Sequence, residues 1–363
     1  MVANLYPTVA GGIALHAHEM SKSQARLGHD VTVYTSSSSR RAAQEGTDGY
    51  NVVRFRTPVR LMGSPLMPGL LPGLFRTRKA FDIIHAHSHL FLSTTLCALA
   101  KRFGSAPLVI TNHGLISQTI PLTIQRAYVP TVAKWTLKSA DLVLCYTATE
   151  KAQLEALGIR AEKIRVIHNG IDVDSFKPNG AKGSRDGKQV LWIGRFVPGK
   201  GIDCLIDAFR IVVQRNGRCR LVMVGEGPLA DKMRRRVKDL GLDQHVVFGG
   251  FVPNAELPRL YQDSDVFVLT SRSEGVPRTM LEAMACGTPV VSTRIPQLVD
   301  IVDSCGMMAP VGDAEAIAEA ILRITDSPDL ACRLGQAGRA KAVADYSWAE
   351  TVRKTVEAYQ ELL

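Results

Sequence analysis

The chain has 363 residues, 46% hydrophobic and 21% charged, which suits two globular domains of ordinary size and excludes a disordered protein. Its formal net charge of +10 is lopsided: residues 1–179 hold 20 Lys/Arg against 11 Asp/Glu, whereas the remainder is nearly balanced at 24 against 23. Seven scattered cysteines include no C-x-x-C pair, no apolar stretch approaches the ~18 residues of a membrane span, and no basic-then-apolar leader opens the chain. A disulfide framework, a membrane span and a signal peptide are therefore not expected, and a cytoplasmic protein is.

Tyr6–Ile13 (YPTVAGGI) has the pattern of a strand-to-helix turn, and Gly11 and Gly12 would let backbone N–H groups approach a ligand. A plain tight turn fits equally well. Only Met1–Leu5 precede it, so a strand there is short or is cut by the start of the sequence. A helical pattern follows over Leu15–Leu27, then strand patterns at His29–Thr35 and Tyr50–Phe55. Val59–Phe75 is apolar and Pro/Gly-rich, suited to neither helix nor strand, and Arg76, Arg78 and Lys79 follow it. Arg40–Arg102 carries ten basic residues against three acidic ones. Apolar residues flanked by cations suit docking on an anionic bilayer; a long loop covering the core is the competing reading. Nucleic acid is not expected, because no aromatic platform or recognition helix accompanies the charge.

Phe81–His85 is the next strand, and His85, His87 and His89 fall at i, i+2, i+4 on what reads as a turning segment without a carboxylate cluster. No metal site is expected there, since zinc wants three or four converging ligands. Pro107–Thr111 is a strand whose carboxyl end leads to His113, where a neutral imidazole could donate to a reacting group or serve structure alone. Asp141–Tyr146 and Ile164–Ile167 read as strands and Thr149–Leu157 as a helix.

A polar, Gly-rich stretch, Asn179–Lys188, falls next to a domain boundary placed near residues 170–188. A second series then begins, with strands at Gln189–Ile193, Cys219–Val224, Val246–Phe248, Val266–Leu269 and Pro289–Ser292, and helical patterns between several of them. The alternation predicts an α/β protein of two doubly wound domains whose ligands lie in a cleft at the carboxyl ends of the strands. Trp348–Leu363 closes the chain as an amphipathic helix.

Three segments of the second half carry chemistry. Leu191–Gly201 (LWIGRFVPGKG) places Arg195 and Lys200 between a strand and a helix start, a natural cradle for a diphosphate. Leu221–Ala230 (LVMVGEGPLA) puts Gly225 where backbone could approach phosphate or ribose. A nicotinamide site is not expected, because the following strand ends without an acidic residue. Ser273–Val291 (SEGVPRTMLEAMACGTPVV) carries Glu274 on a loop and Glu282 one turn into a helix started by Pro277 and ended by Gly287. Carboxylates accept paired hydrogen bonds from vicinal diols. Glu282 sits among small and apolar residues, so it needs a partner, from a ligand or from the protein.

Taken together, YPTVAGGI, RLGHDVTVYT, FDIIHAH, VITNHG, VIHNGIDVDSF, IGRFVPGKGID, LVMVGEGP, FGGFVP and SEGVPRTMLE resemble the retaining GT4-type (group 1) glycosyltransferases of GT-B fold, over nearly the whole chain. The resemblance implies two Rossmann-like domains facing across a cleft, with acceptor at residues 1–170, nucleotide sugar at 171–345, and a helix at 346–363 crossing back to the first domain. It implies that Arg195 and Lys200 hold the donor diphosphate, that Glu274 contacts the transferred sugar, and that Glu282 binds the ribose. It puts Phe251 and Val252 at the base, Gly275, Val276 and Pro277 beside the donor, His113 near the anomeric centre, and Gly11 and Gly12 over the phosphates or acceptor. The catalytic set is then His113, Arg195, Lys200 and Glu274. Val276 departs from the aromatic or glycine that often follows E-G in the family, and Arg278 adds a cation beside the sugar that would suit an acidic one, although an exposed Arg in the first turn of a helix is also ordinary.

No cofactor and no divalent metal are expected. Asp172-Val173-Asp174 and Asp263-Ser264-Asp265 are accounted for as an interdomain segment and the lead into a core strand, and cations with helix dipoles can neutralise the leaving group. The expected partners are a UDP- or GDP-linked sugar, a lipid-linked or glycan acceptor, and an anionic membrane surface met by the basic first half. A nucleotide-sugar epimerase or a phosphorylase on the same fold is the rival, with a non-catalytic sugar-nucleotide sensor behind it.

Overall fold

The computed structural model describes residues 12–37, 43–61, 64–77, 79–104, 106–115, 122–180 and 187–363. The chain divides into two compact units, residues 1–170 with 348–363, and residues 171–347.

The first unit holds strands β1 (Thr32–Ser37), β2 (Ala43–Thr47), β3 (Tyr50–Arg56), β4 (Val59–Leu61), β5 (Ser64–Leu66), β6 (Ile84–His87), β7 (Leu108–Thr111), β8 (Leu142–Cys145) and β9 (Ile164–Val166). Strands β6-β7-β8-β9 form one parallel group, β1-β3-β2 another, with β1 parallel and β2 antiparallel to β3. Strands β7 and β8 are buried throughout, and their Leu/Val/Ile/Cys runs, apolar at every position, are what burial on both faces demands.

Residues 59–77 differ from the sequence expectation. Among them β4 and β5 pair antiparallel, Leu70–Thr77 is a helix, and Met67, Leu70 and Leu74 are buried in the core with Tyr34, Leu108 and Ile110. The alternation of prolines and glycines hid these short elements; Met67, Leu70 and Leu74 cover the core, whereas Val59 and Leu66 are exposed. Strand β2 also escaped the sequence reading, because Ala43–Thr47 (AQEGT) lacks apolar alternation. His85 and His87 lie within β6, not on a turning segment.

The helix Trp348–Gln360 belongs to this unit. Trp348 and Val352 pack on Met20, and Ala358 packs on Val109, Leu142, Leu144 and Ile167. Its buried residues, 348, 351, 352, 355 and 358, recur at helical spacing and form one stripe. Gly170 is required where it stands, since an added Cβ would lie 2.5 Å from the Trp348 ring.

The second unit holds β10 (Lys188–Ile193), β11 (Cys219–Val224), β12 (Val246–Gly250), β13 (Val266–Leu269), β14 (Val290–Thr293) and β15 (Gly306–Ala309). All pairs are parallel and the order is β12-β11-β10-β13-β14-β15. The chain builds outward from β10 in one direction, then returns to β13 on its other side. The switch point of the sheet therefore lies between β10 and β13, and ligands of doubly wound sheets bind beyond the carboxyl ends there. The helix Ile202–Arg215 buries Ile202, Leu205, Ile206, Phe209 and Val212, a stripe at i, i+3, i+4 and i+7 packed with Trp192 and Met223. Strand β15 was not foreseen, as Gly306–Ala309 (GMMA) has neither β-branched residues nor alternation.

Candidate active site

At the switch point, β10 ends at Ile193 and the chain turns through Gly194, Arg195 and Phe196 into a short 3₁₀ turn, Pro198–Lys200. Gly201 then caps the helix Ile202–Arg215 with φ +61°. An added Cβ there would stand 2.1 Å from the Thr270 carbonyl, so the position tolerates only glycine. This close approach ties the loop after β10 to the loop after β13. Thr270 Oγ1 donates to the Lys200 carbonyl (3.0 Å) and Arg272 N donates to the Gly199 carbonyl (2.9 Å).

The same tie brings Lys200 and Glu274 together. Lys200 Nζ forms an ion pair with Glu274 Oε1, which also accepts a hydrogen bond from Ser271 Oγ at 2.6 Å. Both side chains are mostly buried, 23% and 10% exposed, whereas Arg195, earlier on the loop that carries Lys200, is exposed. The N-terminus of the helix Ile202–Arg215 also lies at this end of the sheet. Gly225 ends β11 with φ +126°, and an added Cβ would meet the Gly194 carbonyl at 2.0 Å. The Arg195 loop is thus held from below by the loop after β11, through Phe196 N to the Glu226 carbonyl (2.9 Å) and Leu229 N to the Phe196 carbonyl (3.0 Å).

Glu282 lies on the helix Arg278–Ala285, which Pro277 caps and to which Gly275 and Val276 lead. It is 2% exposed. Its partners come from the protein: Tyr261 Oη donates to Oε2 at 3.0 Å, and Arg278 Nη2 lies 3.5 Å from Oε1. Burial raises the Glu282 carboxyl above its ordinary range, while Arg278 and the Tyr261 hydrogen bond pull it partly back. Burial, with Glu282 beside it, drives the Tyr261 hydroxyl well up. Arg278, the cation that the sequence placed beside the sugar, faces Glu282 in this structure. Phe251 and Val252 follow β12, with the Phe251 ring 70% exposed.

In the first unit, successive strand ends deliver His87 at the end of β6, His113 two residues beyond β7, Tyr146 directly after β8 and Asn169 beyond β9. His16 on the helix Gly12–Arg26 reaches the same place: its ring centroid lies 5.4 Å from that of His87 and 5.2 Å from that of His113. His16 Nδ1 bonds Asn169 Oδ1 at 2.7 Å, His87 Nδ1 meets His113 Nε2 at 3.2 Å, and His113 Nδ1 meets Tyr146 Oη at 2.9 Å. Burial, then the neighbouring imidazoles, hold His87 and His113 well below the ordinary histidine range, so both are neutral at pH 7. Ser88, between the histidines of β6 and its loop, is held at φ +65°, a left-handed conformation unusual for a non-glycine residue. Gly12 opens the helix that carries His16; Gly11 lies outside the described residues.

The sequence reading missed His16, Tyr146, Asn169, Tyr261 and Ser271. Only His16 left a local signal, four residues after the paired glycines. The triplet His85, His87 and His89 does not converge as a unit: His85 stacks on His87 but bonds Tyr359 and Thr111.

Residues 176–341 match the family model described as glycosyl transferases group 1, and residues 10–175 match glycosyltransferase family 4. The chain belongs to the group 1, family 4 glycosyltransferases. Glycogen synthase of Mycobacterium tuberculosis is 28% identical over 97% of this chain and 92% of its own. The GDP-mannose-dependent alpha-(1-6)-phosphatidylinositol monomannoside mannosyltransferase of Mycolicibacterium smegmatis is also 28% identical, over 96% and 94%. Among solved structures, Anabaena HepE in complex with UDP and glucose superposes with a TM-score of 0.79 at 21% identity, covering 99% of this chain and 98% of that one. The glycosyltransferase has the GT-B fold of two doubly wound domains. Among its described residues, no helix is long and apolar enough to cross a membrane.

Proposed function

We propose that this glycosyltransferase moves a sugar from a UDP- or GDP-linked donor to a hydroxyl of a lipid-linked or glycan acceptor, with retention of anomeric configuration and without a divalent metal. The observation that carries the reading is the Lys200–Glu274 pair, with exposed Arg195 earlier on the Lys200 loop, at the switch point of the second sheet. Glycosyl transfer builds negative charge on the departing diphosphate. Arg195, Lys200 and the N–H groups opening the helix Ile202–Arg215 supply fixed positive charge where it develops. In the free enzyme Glu274 keeps Lys200 paired. On donor arrival the ammonium turns to phosphate and the carboxylate to sugar hydroxyls, so neither is left buried and unpaired.

Glu282 would take the ribose diol, Phe251 and Val252 the base, and Gly225 and the Gly275–Pro277 loop the adjoining backbone of the donor. His113, neutral and held by Tyr146 through Nδ1, would turn its Nε2–H from His87 to the sugar at the anomeric centre, without adding a like charge beside the forming oxocarbenium. Gly11 and Gly12 would close over phosphates or acceptor. The relatives named for UDP and for GDP-mannose support either base. The first unit as acceptor domain and the second as donor domain follow from this division of roles.

Docking on an anionic membrane from the cytoplasmic side is part of the proposal. Its support is the charge of the first half and the exposed Phe103 (63%) and Trp135 (36%) near Lys101, Arg102, Lys134 and Lys138 in sequence, not the buried apolar residues of 67–74. All seven cysteines are free thiols, six of them buried.

A thermal-shift panel of nucleotide sugars names the donor, and mass spectrometry of lipid and glycan extracts names the product. Diphosphate release that requires an acceptor, persists in EDTA and gives a product of unchanged anomeric configuration is expected. Release-free interconversion of the donor would instead show an epimerase, and phosphate-dependent cleavage a phosphorylase.

A further inference from the structure

The three imidazoles of His16, His87 and His113 form a nearly equilateral triangle, with centroids 5.4, 5.2 and 5.4 Å apart. One nitrogen from each lies within 4.8 Å of the others, the only such group of metal-ligating side chains among the described residues. Zinc binds imidazole at ~2.0–2.1 Å, so three rings on a tetrahedral ion have centroids about 5.2 Å apart and nitrogens about 3.3 Å apart. The His87 Nδ1 to His113 Nε2 separation of 3.2 Å already meets this.

The outer contacts of His16 and His113 fit as well. Ligating histidines commonly use their second nitrogen to hold an oxygen, which fixes the tautomer. Asn169 Oδ1 only accepts, so His16 carries its proton on Nδ1 and turns its Nε2 lone pair away from Asn169. Tyr146 Oη holds His113 through Nδ1 and leaves Nε2 on the inner edge. His87 has no such outer contact: its Nε2 is buried without a hydrogen-bond partner, so ligation through Nδ1 leaves a buried N–H unpaired, a cost that the metal bond has to exceed.

We propose that His16, His87 and His113 bind a borderline transition-metal dication, zinc first among them, with a fourth position open to water or ligand. Imidazole sets suit zinc and copper, whereas magnesium and calcium take oxygen ligands. The site is thus distinct from a metal requirement for the donor diphosphate. Metal capture withdraws His113 from the reacting sugar, so zinc would be a reversible inhibitor; this consequence rests on the function proposed above, while the binding does not.

The test is tag-free protein titrated with Zn²⁺ against a chromophoric chelator, and with Co²⁺ followed by visible absorption. One ion per chain and a tetrahedral Co²⁺ spectrum are expected. His16→Gln and His87→Gln should each weaken binding at least ~10-fold, and His245→Gln in the other unit should not change it. Asn169→Ala, which touches no ligand atom, should weaken it by roughly 10-fold and covers the case in which a histidine variant fails to fold. Absent saturable binding, or uptake undiminished in the His16 and His87 variants, would overturn the site. Zinc that binds as expected yet leaves transfer untouched keeps the site and instead removes His113 from the reaction.

Discussion

Glu282 is a carboxylate kept inside the protein by one tyrosine and one arginine. Its folded pKa lies above the ordinary 4.5, with burial as the leading cause. Between that value and the raised one, the folded protein holds a proton that the unfolded chain has released, so the contribution of Glu282 is fully present below 4.5 and is lost as pH rises through the window. Melting temperatures of wild type and Glu282→Gln, compared from acid to neutral pH, should show the wild type losing ground to the variant as pH rises. A constant difference would mean that the carboxyl titrates alike in both states. Tyr261→Phe removes the Oη donor from Glu282 and should cost about 1–3 kcal/mol in denaturant unfolding, the penalty for an unmade buried hydrogen bond. The sequence made the need for a partner legible, since Glu282 stands in LEAMACG. It could not show that Tyr261, 21 positions earlier, supplies one, because that contact exists only once the helices at 257–262 and 278–285 pack.

At the scale of elements, the loops after β10 and β11 are placed by glycines that admit neighbouring backbone. Gly225 combines φ +126° with a carbonyl 2.0 Å from any added Cβ, whereas Gly241, at φ +67°, faces open space. Gly225→Ala should therefore cost well over the ~1–2 kcal/mol of left-handed strain expected of Gly241→Ala. Equal losses in urea unfolding would deny that the loops after β10 and β11 are in contact. The terminal helix makes a parallel case. Trp348 is buried against Met20 and Gly170, so Trp348→Ala should destabilise the first unit by ~3–5 kcal/mol, read by hydrogen exchange in β7 and β8. Strands with continuous apolar runs, such as β11 and β13, were legible to the residue or nearly so. β2, β15 and the β4–β5 pair were not, because neighbouring chain, not their own pattern, makes them strands.

For the whole molecule, charge and sheet order carry the account. The excess of basic residues in the first half predicts sedimentation with anionic vesicles that falls as salt rises, whereas neutral vesicles leave the protein in solution. The strand order of the second unit, hidden from a linear reading, is what sets the loop of Lys200 next to that of Glu274, 74 residues later. The measurement that tests the central claim most directly is the steady-state kinetics of Lys200→Ala with the donor named by the thermal-shift panel. Transition-state charge contacts of this kind are worth roughly 3 kcal/mol, so kcat/KM should fall by ~100-fold or more while the fold persists by circular dichroism. Unchanged kcat/KM in the folded variant would contradict the assignment of this pair to the donor diphosphate.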